Sequence, residues 1–268
     1  MAASYDEFVN WDARLEREAP FFRRLFEERD VHSVADVGAG SARHAIMFRS
    51  WGIDVTAIDP DERMIEAAVA NAERLSSDVR IARSSFGEVA ETLGVEIDAI
   101  TCTGNALPHV AGVAGLREAI ADFAATLRRG GLLVLHYLNH DRLLGMGLRS
   151  MPPVFRQTEE GDLYFLRVLD YTPDRDGILF DFVTLTRDPA VREGTYTRES
   201  WAETTATDPL GGWSIECRRS VHTALPLDLV SAELMAAGFG DIRAFGDHTG
   251  RALDQDADES VIVVATRL

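Results

Sequence analysis

Apolar and polar positions change rhythm twice along this chain of 268 residues. Over residues 6–29, Phe8, Trp11, Leu15, Phe21, Phe22 and Leu25 fall mostly at helical spacing. That predicts helix, divided by Pro20 into two short ones. From residue 33, short apolar runs alternate with amphipathic stretches. The runs predict strands at 33–37, 53–58, 79–83, 97–102 and 132–138, and the stretches predict helices at 42–50, 61–75, 87–93 and 115–128. In the last of these, Leu116, Ile120, Phe123, Ala124 and Leu127 share one face. Past residue 140 the segments 162–171, 178–187 and 213–223 read as antiparallel strands, with Asp174-Arg175-Asp176-Gly177 as a hairpin turn between the first two. A helix at 227–237, ended by Gly238, and strands at 241–246 and 259–266 then restore the first rhythm.

Strand and helix in alternation build a parallel sheet covered on both faces. The fold class predicted is α/β: a doubly wound, mostly parallel, seven-stranded sheet with an antiparallel β insert after the fifth strand. Residues 1–139 and 226–268 form the main domain, the N-terminal helical segment included, and 140–225 form the insert. An insert at this point lies over the carboxyl ends of the strands, where ligands bind in open α/β folds. It either walls the substrate pocket as a lid or serves as a scaffold or dimer surface.

Composition narrows the field. Acidic residues outnumber basic ones 44 to 27, for a net charge of −17, and every basic residue is arginine. Such a surface repels phosphate backbones and anionic lipids, so the expected partner is a small molecule, with neither nucleic acid nor membrane. A homo-oligomer stays open. With no lysine, no lysine can act as a base. The missing lysine fits GC-rich codon usage or a salt-adapted surface. Cys102 and Cys217 are the only cysteines. They suit a reducing, cytoplasmic setting rather than a disulfide framework. No run of eighteen apolar residues marks a membrane span. The N-terminal MAASYDEF has neither the basic nor the apolar region of a secretory signal. Histidines and cysteines are too scattered to suggest a metal site.

The densest chemistry lies in residues 34–59. Val34-Ala35-Asp36-Val37 runs into Gly38-Ala39-Gly40, a helical stretch follows, and a second apolar run ends on Asp59. Strand, glycine turn, helix, strand and acid bring backbone N–H groups to a ligand and a carboxylate to ribose hydroxyls, which predicts an adenosine-containing cofactor. A dinucleotide turn wants a third glycine where this chain has Arg43, and the Gly-Lys-Ser/Thr ending of a triphosphate loop is missing. A shorter turn suits a nucleoside without pyrophosphate, such as S-adenosyl-L-methionine.

VADVGAGSARHAIMF, GIDVTAIDPDERMIEAA, DAITCTGNALPHV and LRRGGLLVLHYLNHD occur in this order. They resemble successive motifs of class I S-adenosylmethionine-dependent methyltransferases, which have a Rossmann-like fold, and are most similar to the glycine/sarcosine N-methyltransferase group. The resemblance runs from about Tyr5 to Leu144, and more weakly through VSAELMAAGFGDIRAFGDH. It implies the following roles. The backbone at Gly38, Ala39 and Gly40 passes beside the methionyl tail, with His44 nearby. Asp59, followed by Pro60, accepts both ribose hydroxyls. Met64 and Phe86 sandwich adenine, with Ser85 where relatives have an acid facing the adenine amine. Thr103, Gly104 and Asn105 lie near the sulfonium and the substrate. Tyr5, Trp11 and Arg14 fold over the cofactor, and Arg14 pairs with its carboxylate. Asp59 as a helix cap, Phe86 as core packing, and Arg14 as a surface arginine are the alternatives.

Methyl transfer from a sulfonium needs alignment and exclusion of water more than a strong base. An amine acceptor must be neutral to attack, whereas an alcohol or phenol benefits from a base. The expected catalytic residues are Asn105, His109, Tyr5 and His140, with Tyr137, Asn139 and His140 on the substrate side. His136 shares the side of its strand with His140. The resembled group clamps its amino-acid carboxylate with the arginine of an Arg-Asn-Tyr-Asp motif. This chain reads Leu138-Asn139-His140-Asp141 there, and losing such a charge-assisted bond costs about 1.5–3 kcal/mol. The expectation is a methyltransferase acting on a small molecule, with nitrogen favoured. An O-methyltransferase and a non-catalytic cofactor-binding homologue are the alternatives. Tyr164, Tyr171, Tyr196, Trp201 and Trp213 either offer aromatic walls or fill the insert's own core.

Overall fold

A computed structural model describes residue 6 and residues 8–158, 161–187 and 213–268. Tyr5, Tyr196 and Trp201 lie outside the described residues. Helix α1 (Trp11–Glu28) opens the described fold, capped by the Asn10 side chain, which accepts from the Ala13 N–H. It is one continuous helix, not the two that Pro20 predicts. Pro20 and Glu16 both face solvent, so the carbonyl that loses its partner can turn to water. Phe21, Phe22, Leu25 and Phe26 bury the opposite face.

The alternation that follows is β1 (Ser33–Val37), α2 (Arg43–Arg49), β2 (Asp54–Asp59), α3 (Glu62–Arg74), β3 (Arg80–Arg83), α4 (Val89–Leu93), β4 (Ile97–Cys102), α5 (Gly112–Thr126) and β5 (Leu127–Leu138). After the insert come α7 (Leu227–Ala236), β10 (Phe239–Phe245) and β11 (Ser260–Arg267). The seven strands order as β10-β11-β5-β4-β1-β2-β3. The pairs β4–β5, β1–β4, β1–β2 and β2–β3 are parallel, while β11 runs antiparallel to both β5 and β10. Layers of buried side chains cover both faces. Leu116, Ile120 and Phe123 pack on one, and Phe22, Phe26 and Phe48 on the other.

The insert contains a short helix, α6 (His140–Met146), and strands β6 (Ser150–Thr158), β7 (Gly161–Tyr171), β8 (Gly177–Arg187) and β9 (Trp213–Thr223). They form one antiparallel sheet in the order β6-β7-β8-β9. Neither α6 nor β6 is predicted above. β6 carries Pro152 and Pro153, which argue against a strand, but it sits at the sheet edge, where proline is tolerated, and its pairing shifts between Met151 and Val154. Thr223 ties the insert to the main domain: its hydroxyl donates to the Val110 carbonyl at 2.6 Å and accepts from the Gly112 N–H at 2.9 Å. Among the described residues no helix is long and apolar enough to cross a membrane.

Candidate functional site

The glycine turn follows β1 directly. Gly38 and Gly40 have φ of +70° and +55°, the left-handed region that suits glycine. A Cβ on Gly38 would lie 2.4 Å from the Ala106 Cβ, so the turn passes the loop after β4 with no room for a side chain. The Gly38 and Ala39 N–H groups donate to the Ile58 carbonyl at 2.8 and 3.0 Å. β1 and β2 therefore end together, and both carboxyl ends open on one crevice.

Asp59 closes that crevice at the end of β2. It is 8% exposed, and its oxygens accept from the Gly40 N–H at 2.8 Å and the Asp61 N–H at 2.9 Å. Burial raises its carboxyl above the ordinary value, against the pull of these two backbone donors. A carboxylate has about four acceptor positions. The backbone uses two, and the remainder match a pair of hydroxyls. The cap of α3 is Asp61, which accepts from the Arg63 N–H, so Asp59 has no capping duty.

A cavity of about 400 Å³ joins these elements. Gly38, Ala39, Gly40, His44, Asp59 and Pro60 form its floor; Met64 and Phe86 stand at one side, and Trp11 and Arg14 of α1 at another. Thr103, Gly104, Asn105 and His109 complete it from the β4 end. Asp61 and Ala106 also line it, and no signal in the sequence singles them out. Ser85 is outside this lining, and its N–H donates to the Glu88 carboxylate at 3.2 Å.

Side-chain bonds hold the walls. Asp6 accepts from Trp11 Nε1 at 2.8 Å, Ser41 Oγ at 2.6 Å and Asn71 Nδ2 at 3.2 Å, which ties the N-terminal segment to the loop after Gly40. His44 Nε2 donates to Glu18 at 2.7 Å, and its Nδ1 lies 3.4 Å from Thr103 Oγ1. Asn105 has φ of +69°, and its side-chain oxygen accepts from the Leu138 N–H at 3.0 Å. Its own N–H donates to the His136 carbonyl at 3.1 Å, so it clips the end of β4 to β5.

Burial lowers the His109 imidazole below its ordinary value, opposed by the charge of Asp59. Its ring meets His222 of β9 edge to face, with centroids 4.4 Å apart. His222 was not among the predicted site residues, because strand alternation says nothing about which loop a strand will cover. Asp36, on β1, is 1% exposed; one oxygen accepts from Thr101 Oγ1 at 2.8 Å and the other has no partner.

Tyr137, Asn139 and His140 stand elsewhere. Tyr137 is buried in the apolar core. Asn139 caps α6 by accepting from the Arg142 N–H, and its amide donates to the Gln255 and Asp258 carbonyls. His140 Nδ1 accepts from the Leu225 N–H at 2.8 Å. Among the described residues no group of three or more His, Cys, Asp or Glu is placed to hold a metal ion.

The observations fit a nucleoside with a charged tail: an acceptor pair for ribose, apolar flanks for a base and a basic side chain. Comparison with known proteins agrees. Residues 34–131 match the methyltransferase domain family. The chain is similar to a glycine/sarcosine N-methyltransferase of Parasynechococcus marenigrum (strain WH8102), 34% identical over 143 residues, which are 53% of this chain and 51% of that protein. A glycine/sarcosine N-methyltransferase of Aphanothece halophytica is 31% identical over 146 residues, 54% of this chain and 55% of that one. The chain thus matches about half the length of these relatives. Among solved structures, an S-adenosylmethionine-dependent methyltransferase from Clostridium acetobutylicum ATCC 824 superposes with a TM-score of 0.75 at 12% identity, covering 99% of this chain and 97% of that one. An amino pentose methyltransferase from Micromonospora echinaspora gives 0.72 at 21%, covering 100% and 95%.

Proposed function

This chain has the fold of the class I S-adenosylmethionine-dependent methyltransferases, and from that premise we propose that it methylates a small molecule, at an amine nitrogen. The observation that carries the reading is the cavity that unites the glycine turn, Asp59, Met64, Phe86 and His109. S-adenosylmethionine, when bound, supplies an activated methyl group on a sulfonium. Asp59 receives the ribose hydroxyls, Met64 and Phe86 flank adenine, and Arg14 with His44 faces the amino-acid end. The backbone of Gly38, Ala39 and Gly40 approaches closely because no side chain intervenes.

The acceptor enters between the β4 end and the insert, which acts as the roof of the site. His109, kept neutral by burial, takes the proton that the amine must lose. Thr103, Gly104 and Asn105 stand at the β4 end beside the reacting atoms, and Tyr5 belongs to the segment that covers them. Asn139 and His140 brace the return of the insert at Leu225, with Tyr137 packed behind. Leu138 stands where the resembled group has its carboxylate-binding arginine, which argues against glycine as acceptor. The net charge of −17 favours a small molecule over nucleic acid. The test is a panel of amines, amino acids and phenols, with release of S-adenosylhomocysteine as readout. Turnover of phenols alone would exclude nitrogen.

Asp59→Ala is expected to weaken S-adenosylhomocysteine binding by about 1–3 kcal/mol, the worth of charged hydrogen bonds. Calorimetry measures it, and unchanged affinity would take Asp59 out of the cofactor site. Asn105→Ala is expected to lower kcat by about tenfold, roughly 1.4 kcal/mol, with a smaller change in cofactor affinity. Equal kcat in the two proteins would separate the β4 end from the chemistry.

A further inference from the structure

Glu18 is the most deeply buried acid of α1, at 1% exposure. Its Oε1 accepts from Arg14 Nε at 2.9 Å, and its Oε2 from His44 Nε2 at 2.7 Å. His248 Nε2, from the loop after β10, lies 3.6 Å from Oε2, and Arg17 reaches in from solvent at 3.7 Å. Rings enclose the group: Trp11 and Phe22 stand against His44, and Phe21 and Phe22 against His248. Burial alone would raise this carboxyl. The His44 hydrogen bond and the charges of His44, Arg14 and His248 outweigh it and hold Glu18 well below the usual carboxylate range.

A buried charged cluster is seldom more stabilising than hydrocarbon of the same shape. α1 already has Phe21, Phe22, Leu25 and Phe26 to anchor it. The cluster therefore needs a reason other than packing. Arg14 and His44 both line the cavity, whereas Glu18 does not. One carboxylate behind the wall thus holds two of the groups that present nitrogen to the site, each through its own oxygen.

We infer that Glu18 is a positioning residue for the amino-acid end of the cofactor, acting through the Arg14 guanidinium and the His44 imidazole. The inference rests on the cavity being an S-adenosylmethionine site. It makes the tail, and not the adenosine part, sensitive to Glu18.

Two probes separate the ends of the ligand. S-adenosylhomocysteine carries the amino-acid tail; 5′-methylthioadenosine keeps adenine, ribose and sulfur without it. Glu18→Gln is expected to weaken S-adenosylhomocysteine by about ten- to a hundredfold, the effect of a misplaced charged hydrogen bond, and to leave 5′-methylthioadenosine within about twofold. In an Arg14→Gln background the same change should cost less than it does alone, because only the route through His44 remains. Glu18→Asp, which keeps the charge and shortens its reach, should give a smaller loss confined to the first probe, and serves as the test if the glutamine variant does not fold. Equal loss of both probes, unchanged S-adenosylhomocysteine affinity, or full additivity with Arg14→Gln would each overturn the inference. A wild-type protein that binds neither probe would instead overturn the functional reading beneath it.

Discussion

Gly38→Ala is expected to lower the melting temperature by about 6–12 °C and to abolish measurable S-adenosylhomocysteine binding, on a destabilisation of about 3 kcal/mol. Two terms make up that figure. A left-handed backbone costs an alanine about 1–2 kcal/mol, and Gly38 has φ of +70°. Its new methyl would meet the Ala106 Cβ at 2.4 Å, an overpacking that costs about 1–3 kcal/mol as the loop moves away. That loop carries Asn105 and His109, so the cavity deforms along with the turn. Gly40→Ala supplies the control. Its φ is +55°, but no atom lies within 4 Å of the added Cβ, so only the backbone cost of about 1–2 kcal/mol applies. Differential scanning calorimetry and ligand titration measure both variants. If the two alanines behave alike, the close approach of the turn to Ala106 is not a constraint.

Acid should destabilise this protein well before its carboxylates titrate. His136, His140, His222 and His248 are withdrawn from water, and burial holds them down to about 3, about 4, about 3 and about 4. In the unfolded chain each regains a value near 6.5. Below that value the unfolded state binds protons that the folded state refuses, so stability falls as pH falls, through a window from about 6.5 to about 3. At pH 5.5 each histidine contributes about 1.4 kcal/mol of loss, on the order of 6 kcal/mol for the four. Glu18 extends the loss below the ordinary carboxylate range, because its folded value is depressed. Asp36 and Asp59 are shifted upward by burial and oppose the trend. Urea unfolding at pH 7.5 and 5.5 gives the number. His140→Asn, whose amide oxygen can still accept from Leu225, should remove about a quarter of the slope. A flat profile between the two pH values would mean that these imidazoles are protonated in the folded state.

The elements legible in the sequence are those set by local chemistry. The strand runs of the main sheet and the hairpin around Asp174–Gly177 follow from spacing and turn residues alone. The floor of the cavity was legible too, because one short segment, 34–59, contributes the glycine turn and Asp59 together. Of the insert, β7, β8 and β9 were legible from their apolar runs. β6 was hidden by Pro152 and Pro153, whose missing N–H groups are harmless only at an edge. The short helix α6 was hidden by Gly145 in its last turn. The division of α1 at Pro20 was a local expectation overridden by packing, since the buried Phe21 and Phe22 hold the helix straight through.

The sequence by itself determined the alternation that makes the sheet, the tight turn at Gly38, and the acid at its far rim, since each depends on neighbours within a few residues. Only the tertiary structure decided that Glu18 stands behind Arg14 and His44, that His248 reaches it from 230 positions away, and that His222 covers His109. Contacts of that kind are set by how layers stack and where an insert folds back. Backbone periodicity has no memory of such distances, whereas burial makes each of these side chains find a partner.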